Sequence, residues 1–174
     1  MAKIRDYLSL LRVRQWYKNL VIFLAIFFTG EILNLSKVIL TIQGFFSLAL
    51  ISSSYYVIND MIDVRRDRVH SEKRLRPLAS GKIKILPATL LIFLLMIVGF
   101  YWAYALGTLF FYSVIILFIL AIFYSFILKR ILFADTLSIA LLFVIRAVSG
   151  ALLINVWVSH WLILCPFFLS LFLS

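Results

Sequence analysis

A polar stretch in the first half of the chain carries the residues that could do chemistry. Asp60, Asp63 and Asp67 are spaced by three and then four positions, and Asn59 directly precedes them. If one helix runs through this stretch, then at roughly 100° per residue the three carboxylates occupy an arc of about 60°. Asn59 lies about 40° beyond that arc. The spacing therefore predicts four oxygen-bearing side chains on one face of a helix end.

Close carboxylates repel one another unless a cation lies among them, and this pattern favours Mg²⁺ as the cation. Mg²⁺ takes oxygen ligands and is usually shared between one or two carboxylates and the phosphates of a substrate. We therefore expect Asp60, Asp63 and Asp67 to be catalytic residues that bind Mg²⁺ together with a diphosphate. Basic residues follow that could hold the remaining phosphate charge, namely Arg65, Arg66, Arg68, Lys73, Arg74 and Arg76. The alternative is a solvated loop whose acids pair with its bases.

Three further cations lie in or beside apolar runs. Arg146 stands inside such a run. A cation in hydrocarbon costs at least about 2.5–3.5 kcal/mol on insertion scales, so we expect Arg146 to face a bundle interior and a partner there. That partner is either a substrate phosphate or an acid on helices that this portion of the protein does not include. Lys18 and Lys129 lie at run ends, where they either bind phosphate or extend their ammonium groups to the membrane surface.

Membrane helices must position these residues. Of the 174 residues, 65% are hydrophobic and only 14% are charged, which excludes an ordinary soluble domain. A membrane-spanning helix needs about 20 mostly apolar residues. Apolar runs near that length occur at 20–33, 38–58, 85–106, 109–128 and 133–154, and a sixth begins at Trp161. We expect an all-α integral membrane protein, a multispan helical bundle with about five complete spans and a truncated sixth. Residues 1–174 form a single membrane domain in this interpretation.

The net charge of +10 is distributed unevenly between alternate loops. Fifteen Lys and Arg residues fall before the first run, between the second and third, or between the fourth and fifth, whereas the opposite loops hold only Lys37. This is the positive-inside pattern. It predicts a multi-pass protein of the cell membrane with its N-terminus and an Asp-rich loop, residues 59–84, in the cytoplasm. Because the charge follows topology, no nucleic-acid partner is expected.

Several motifs resemble one known family. The stretch NDMIDVRRD at 59–67 matches the NDxxDxxxD motif of the UbiA prenyltransferase superfamily, and RPLASG at 76–81 is similar to a second segment of that superfamily. RQWYKN at 14–19 and DRVHSEKR at 67–74 resemble one branch, the decaprenyl-phosphate phosphoribosyltransferases, although Ser71 replaces the proline usual there. The stretches at 124–135, 146–150 and 158–161 also resemble that branch.

The resemblance implies a bundle of about nine membrane helices with a polar cavity that faces the cytoplasm, of which this chain is an N-terminal portion. It implies Mg²⁺-dependent transfer of phosphoribose from 5-phosphoribosyl 1-diphosphate to a polyprenyl phosphate, in the synthesis of a cell-wall precursor. The substrate-binding residues are then expected to be Lys18, Asn59, Arg66, Lys73, Arg74, Arg76, Tyr124, Lys129 and Arg146. Tyr124 is otherwise an interface tyrosine.

Two other functions stay open at this point. A prenyltransferase of the same superfamily would move an isoprenoid from its diphosphate to an aromatic or other small acceptor, using the same metal motif. A non-catalytic membrane subunit or part of a transporter would tolerate loss of the aspartates and show no dependence on Mg²⁺. The first of these keeps a lipid-linked substrate and a soluble partner molecule, with the roles of donor and acceptor exchanged.

Overall fold

The computed structural model describes residues 3–173, and within that range the chain forms helices and no strands. The α-helices are α1 (Ile4–Leu10), α2 (Leu24–Phe28), α3 (Leu35–Ile62), α4 (Val64–Val69), α5 (Ile85–Leu106), α6 (Thr108–Phe126), α7 (Ala134–Leu153) and α8 (His160–Leu173). Four 3₁₀ segments join them, at Val13–Phe23, Glu31–Leu33, Lys73–Leu75 and Leu128–Arg130.

Within residues 3–173, four helices are long and apolar enough to cross a membrane, namely Leu35–Ile62, Ile85–Leu106, Thr108–Arg130 (α6 with the 3₁₀ turn that follows it) and Ala134–Leu153. Four of the five predicted complete spans correspond to them, and α5 has the predicted bounds. Large apolar side chains on α5 and α6, such as Ile97 and Ile116, are exposed, as expected for helices that face lipid. The prediction of an all-α membrane bundle is confirmed.

The first predicted run takes a different form from a single α-helix. Residues Val13–Phe23 form a 3₁₀ segment that continues into the short helix α2, and the chain turns at Gly30 with a φ of 71°. A 3₁₀ helix rises about 2.0 Å per residue, against about 1.5 Å in an α-helix. The 16 residues of the two elements therefore extend roughly 30 Å, about the thickness of a hydrocarbon core.

Close packing between helices explains the position of this 3₁₀ segment. It lies against both α3 and α7. The carbonyl oxygen of Ile22 approaches Gly150 on α7 so closely that a Cβ atom at position 150 would lie 2.1 Å from it. Gly44 on α3 similarly leaves room for the side chain of Leu153. Small residues thus let the backbones approach one another, which is the usual way that membrane helices associate.

The polar residues gather at one end of the bundle, which we call the polar end. There α3 ends at Ile62 and α4 begins at Val64, with Asp63 between them and the Asp67 amide donating to the Asp63 carbonyl oxygen at 2.8 Å. The predicted continuous helix is therefore interrupted at Asp63, although the Asp63 amide still donates to the Asn59 carbonyl oxygen at 3.0 Å. Beneath the loop, a small apolar cluster that includes Leu10, Leu78 and Ile83 supports the polar end.

Candidate active site

A cavity of about 790 Å³ opens at the polar end. Among residues 3–173, its wall contains two carboxylates, Asp63 and Asp67, and eight basic side chains, which are Arg12, Lys18, Arg66, Lys73, Arg76, Lys129, Arg130 and Arg146. Such an excess of positive charge in a partly enclosed space favours a ligand with several negative charges. We call the part lined by Asn59, Asp63 and Asp67 the outer end, and the part lined by Lys18, Tyr55 and Arg146 the inner end.

The aspartates of the outer end are paired with basic side chains. Asp60 is 3% exposed and accepts from Arg12 and, at 3.1 Å, from Nη1 of Arg76. The same Nη1 lies 2.7 Å from Oδ2 of Asp67, so one guanidinium joins two carboxylates. A buried carboxylate keeps its charge only when it is paired and hydrogen-bonded, and Arg76 helps to supply that pairing for both acids.

Lys129 forms a second pairing on the opposite wall of the outer end. Its Nζ donates to Oδ2 of Asp63 at 2.7 Å and to Oδ1 of Asn59 at 3.1 Å. The short 3₁₀ turn Leu128–Arg130, between α6 and α7, places this lysine over the end of α3. One ammonium group therefore binds Asn59 and Asp63, two of the four oxygen-bearing side chains that the spacing predicts on one face of the helix.

The oxygen atoms of the outer end fit Mg²⁺ in kind. Among residues 3–173, no three acidic, histidine or cysteine side chains already converge on a common point, because the aspartates bind arginine and lysine instead. Mg²⁺ does not need such a group, since it commonly takes one or two carboxylates and completes its shell with substrate phosphates and water. Asp63 and Asp67 both line the cavity and are therefore able to meet a metal bound to a phosphate.

Arg146 dominates the inner end and has only uncharged partners in the described part of the chain. Its Nε donates to Oδ1 of Asn19 at 2.9 Å, its Nη2 to the hydroxyl of Tyr55 at 2.7 Å, and its Nη1 to the carbonyl oxygen of Leu142 at 2.8 Å. The ring of Phe143 lies 5.6 Å from the guanidinium carbon. Within residues 3–173 the partners of Arg146 are thus neutral groups, and the expected phosphate or acid stays a prediction.

Hydrogen bonds from α3 hold the 3₁₀ segment that presents Lys18. Nε1 of Trp16 donates to Oγ of Ser53 at 3.0 Å, and Oγ of Ser52 donates to Oδ1 of Asn19 at 3.2 Å. Ser53 in turn donates to the carbonyl oxygen of Leu11 at 2.8 Å. These bonds fix the segment on both sides of Lys18, whose side chain lines the cavity.

Most of the residues predicted for the site line this one cavity, namely Lys18, Asn59, Asp63, Arg66, Asp67, Lys73, Arg76, Tyr124, Lys129 and Arg146. Asp60 lies behind the wall, in contact with Arg12 and Arg76. Arg74 is exposed and lies outside the wall. The Tyr124 hydroxyl donates to Oδ1 of Asp135 at 2.8 Å.

The sequence interpretation missed Arg12 and Tyr55 as site residues. Arg12 is one of the fifteen Lys and Arg residues of the positive-inside pattern and carried no other signal in the sequence. Its pairing with Asp60 joins positions 48 residues apart. Tyr55 carried a usable signal, because it precedes Asn59 by four residues and so lies on the same face of α3, one turn further into the bundle.

Comparison with known proteins agrees with this architecture. The chain is 31% identical over 167 residues to the decaprenyl-phosphate phosphoribosyltransferase of Mycolicibacterium smegmatis, an alignment that covers 94% of this chain and 52% of that relative. It is 35% identical over 173 residues to the uncharacterized protein y4nM of Sinorhizobium fredii, covering 98% of this chain and 34% of that relative. The chain thus spans about half of the first of these relatives and a third of the second.

A solved structure shares the fold. It is described as a UbiA homolog from Archaeoglobus fulgidus bound to GPP and Mg²⁺, and it superposes with a TM-score of 0.79 at 25% identity. The match covers 95% of this chain and 60% of that chain. The model of the UbiA prenyltransferase family matches residues 19–174, which is most of the chain. The chain therefore belongs to the UbiA prenyltransferase family.

Proposed function

We propose that this chain contributes the donor site of a membrane transferase that moves phosphoribose from 5-phosphoribosyl 1-diphosphate to a polyprenyl phosphate. The site faces the cytoplasm in this proposal, as the positive-inside pattern predicts. The observation that carries the proposal is the cavity wall, in which eight basic side chains surround two carboxylates beside Asn59. The similarity to the decaprenyl-phosphate phosphoribosyltransferase of Mycolicibacterium smegmatis supports the choice of phosphoribosyl transfer.

The balance of charge in the wall suits two phosphorylated substrates better than one. The donor carries a diphosphate and a separate phosphate, and the acceptor carries a further phosphate. Arginine and lysine side chains bind phosphate oxygens through charge-assisted hydrogen bonds, and arginine can do so with two parallel bonds. Arg66, Lys73, Arg76 and Lys129 are proposed to hold the phosphates of the donor, with Arg74 at the rim.

Mg²⁺ is proposed to bind at Asp63 and Asp67 together with the donor's diphosphate. Asp60 joins this set if Arg12 and Arg76 turn from its carboxylate to the phosphates. When bound, the metal neutralises charge that develops on the leaving diphosphate. Asn59 supplies a neutral oxygen next to these acids. Lys129 binds Asn59 and Asp63 in the structure, and we propose that it binds the donor's phosphates instead when they are present.

The transfer reaction requires the protein mainly to position the two substrates and to stabilise the negative charge of the leaving diphosphate. An oxygen of the acceptor phosphate forms a bond to C1 of the ribose, while the bond from C1 to the diphosphate breaks and the diphosphate leaves with the electron pair. Because the acceptor oxygen is already anionic, no strong general base is required. The basic wall stabilises the departing charge, as fixed cations do in other phosphate-transferring sites. The Tyr124 hydroxyl is proposed to add one hydrogen bond to the donor.

Prenyl transfer to a small acceptor is the second candidate function. The observation that favours it is the solved relative that binds GPP and Mg²⁺, since GPP is a prenyl diphosphate. The same acids and metal would serve there. The two functions differ in which molecule carries the diphosphate, and that difference is measurable.

A ligand-protection experiment separates the candidates. The protein in detergent is heated with Mg²⁺ and either 5-phosphoribosyl 1-diphosphate or geranyl diphosphate, and the unfolding temperature is recorded. We expect the phosphoribosyl donor to stabilise the protein only when Mg²⁺ is present, because ligand binding to the folded state raises its stability. If geranyl diphosphate stabilises the protein and the phosphoribosyl donor does not, the second candidate is favoured. Transfer is then tested with radiolabelled donor, which should yield a lipid-linked phosphoribose.

Asp63→Asn is the variant for this experiment, and Glu72→Gln is its control. Glu72 belongs to the same loop but is exposed and lies outside the cavity wall. Removing the Asp63 charge should weaken Mg²⁺-dependent donor binding by at least about tenfold, whereas the control should bind normally. Equal protection of both variants, with no dependence on Mg²⁺, would instead indicate a non-catalytic membrane subunit or transporter part.

A further inference from the structure

The inner end of the cavity carries positive charge that no acid balances. In the part of the chain that the structure describes, neither Lys18 nor Arg146 has a carboxylate partner. Arg146 is 3% exposed, so water screens its charge poorly. Buried charges in proteins are normally paired with an opposite charge, and the neutral partners of Arg146 satisfy its hydrogen bonds without neutralising it. A missing anion would complete the inner end.

A second observation at the inner end concerns the amide of Asn19, which is 1% exposed. Its Oδ1 accepts from Arg146 and Ser52, but its Nδ2 has no hydrogen-bond partner among residues 3–173. Turning the amide over would not help, because Nδ2 would then face the Nε donor of Arg146. A buried donor without an acceptor is uncommon, and it stands beside the uncompensated guanidinium. Asn19 does not line the cavity itself, so its part is to hold the Arg146 guanidinium, and it is the charge of that guanidinium that calls for an anion.

We infer that the inner end is a separate, metal-independent site for a phosphate monoester, bound by Lys18 and Arg146 and positioned by Asn19. This inference rests on the proposed function and assigns to that function a place for its second phosphorylated substrate. At the outer end Arg76 and Lys129 are already engaged by carboxylates, so a phosphate without metal is attracted more strongly by the two cations of the inner end, which no carboxylate engages. A diphosphate with Mg²⁺ has the opposite preference, because its metal needs carboxylates.

The lining of the inner end favours the phosphate of a lipid over other monoesters. Leu142 and Phe143 line the cavity on α7 beside Arg146, and Ile139 lies one turn before them. These apolar side chains offer a surface for the first isoprene unit of a polyprenyl phosphate. The 5-phosphate of the ribose donor is the other phosphate monoester in the proposed reaction. It has no apolar group to place against these residues.

The test measures binding of single monoesters in the presence of EDTA. The full chain in detergent is titrated with farnesyl phosphate, ribose 5-phosphate or inorganic phosphate, and binding is followed by thermal stabilisation. We expect farnesyl phosphate to bind without Mg²⁺ and more tightly than ribose 5-phosphate. Lys18→Gln should weaken its binding by about tenfold or more, because a charge-assisted hydrogen bond is lost. Arg146→Lys keeps the charge but loses bonds to Tyr55 and Leu142, and should weaken binding less than Arg146→Gln.

Two controls keep the test specific. Lys84→Gln removes one exposed positive charge outside the cavity and should not change binding. Asp63→Asn should also retain metal-free binding of farnesyl phosphate, although it loses the Mg²⁺-dependent binding of the donor. If Arg146→Gln unfolds the protein, Lys18→Gln still decides the outcome, since its side chain is only half-buried and has no described partner.

Three results would overturn the inference. They are absence of monoester binding in EDTA, equal losses in Lys18→Gln and Lys84→Gln, and equal or tighter binding of ribose 5-phosphate. The last result would assign the inner end to the donor. None of them affects the Mg²⁺-dependent protection by 5-phosphoribosyl 1-diphosphate, so failure of this inference is distinguishable from failure of the proposed function.

Discussion

The two ends of the cavity contain similar cations in opposite electrostatic situations. At the outer end, Arg76 and Lys129 bind carboxylates at 2.7 Å, and these carboxylates largely neutralise their positive charge. At the inner end, Arg146 binds an amide oxygen, a hydroxyl and a backbone carbonyl. A ligand at the outer end must therefore replace existing ion pairs, whereas an anion at the inner end adds a missing one.

This difference has a consequence for the order of events on the protein. Displacing an arginine or lysine from a buried carboxylate leaves that carboxylate without compensation unless another cation replaces the side chain. Mg²⁺ bound to a diphosphate brings both the replacement cation for the acids and an anion for the displaced side chains. We therefore expect metal and diphosphate to bind to the outer end together, and each alone to bind weakly. The inner end requires no such exchange.

Asp60→Asn gives the largest effect on stability, because it removes the acid that supports the outer end from behind. Arg12 and Arg76 would lose their shared carboxylate, and their side chains are 17% and 29% exposed. Removing one member of a fully buried ion pair costs about 3–5 kcal/mol, and partial exposure reduces that to about 2–3 kcal/mol here. Thermal or denaturant unfolding in detergent measures the loss.

The matched variant for Asp60→Asn is Asp63→Asn at the mouth of the same end. Asp63 is 16% exposed, against 3% for Asp60, and its removal leaves one cation, Lys129, without its carboxylate instead of two. We expect Asp63→Asn to reduce stability less than Asp60→Asn while reducing Mg²⁺-dependent donor binding. Equal loss of stability in the two variants would contradict the view that Asp60 supports the site structurally from behind the cavity wall.

Hydropathy predicted the spans well where burial in lipid decides the structure. The run at 85–106 and helix α5 share their bounds, and the runs at 109–128 and 133–154 differ from α6 and α7 by a residue or two. The run at 20–33 was not predictable in the same way. Its first residues belong to a 3₁₀ segment that packs closely against Gly150 through Ile22, and a contact between residues this far apart in the chain leaves no trace in local hydropathy.

The candidate site likewise has some features that the sequence predicts and others that it does not. The face that carries Asn59, Asp63 and Asp67 follows from helical periodicity, and the structure brings these residues to one cavity. Which cation binds which acid does not follow, because Arg12 meets Asp60 from 48 positions away and Arg146 meets Asn19 from 127 positions away. Counts of charge in loops set topology, but pairing depends on how the helices pack.

Gly150→Ala disturbs the inner end without touching a charged group. The new Cβ would lie 2.1 Å from the Ile22 carbonyl oxygen, so the 3₁₀ segment must move away from α7. Overpacking of this kind costs about 1–3 kcal/mol. The displacement should also separate Lys18 and Asn19 from Arg146, and so weaken metal-free binding of farnesyl phosphate more than Mg²⁺-dependent binding of the donor.

Gly99→Ala is the control for this overpacking. A Cβ atom there would lie 2.8 Å from Cδ1 and 2.9 Å from Cγ1 of Ile51, so the group that must shift is a side chain and not the backbone of a neighbouring segment. Its loss of stability should be smaller, and both binding activities should be preserved. If Gly150→Ala weakens donor and monoester binding equally, the two ends of the cavity do not behave as separate sites.

Tyr124→Phe tests the smallest effect, a single hydroxyl at the edge of the outer end. The Tyr124 hydroxyl donates to Asp135 at 2.8 Å, so part of its contribution is to join α6 to the start of α7. Removing either partner should cost about 1 kcal/mol of stability, and removing both should cost little more than removing one.

If Tyr124 also binds the donor, Tyr124→Phe weakens donor binding about two- to tenfold, as expected for one neutral hydrogen bond. Asp135→Ala should match it in unfolding temperature but retain donor binding. Equal donor affinities in the two variants would limit Tyr124 to a structural role and leave donor binding at the outer end to the charged side chains and Asn59.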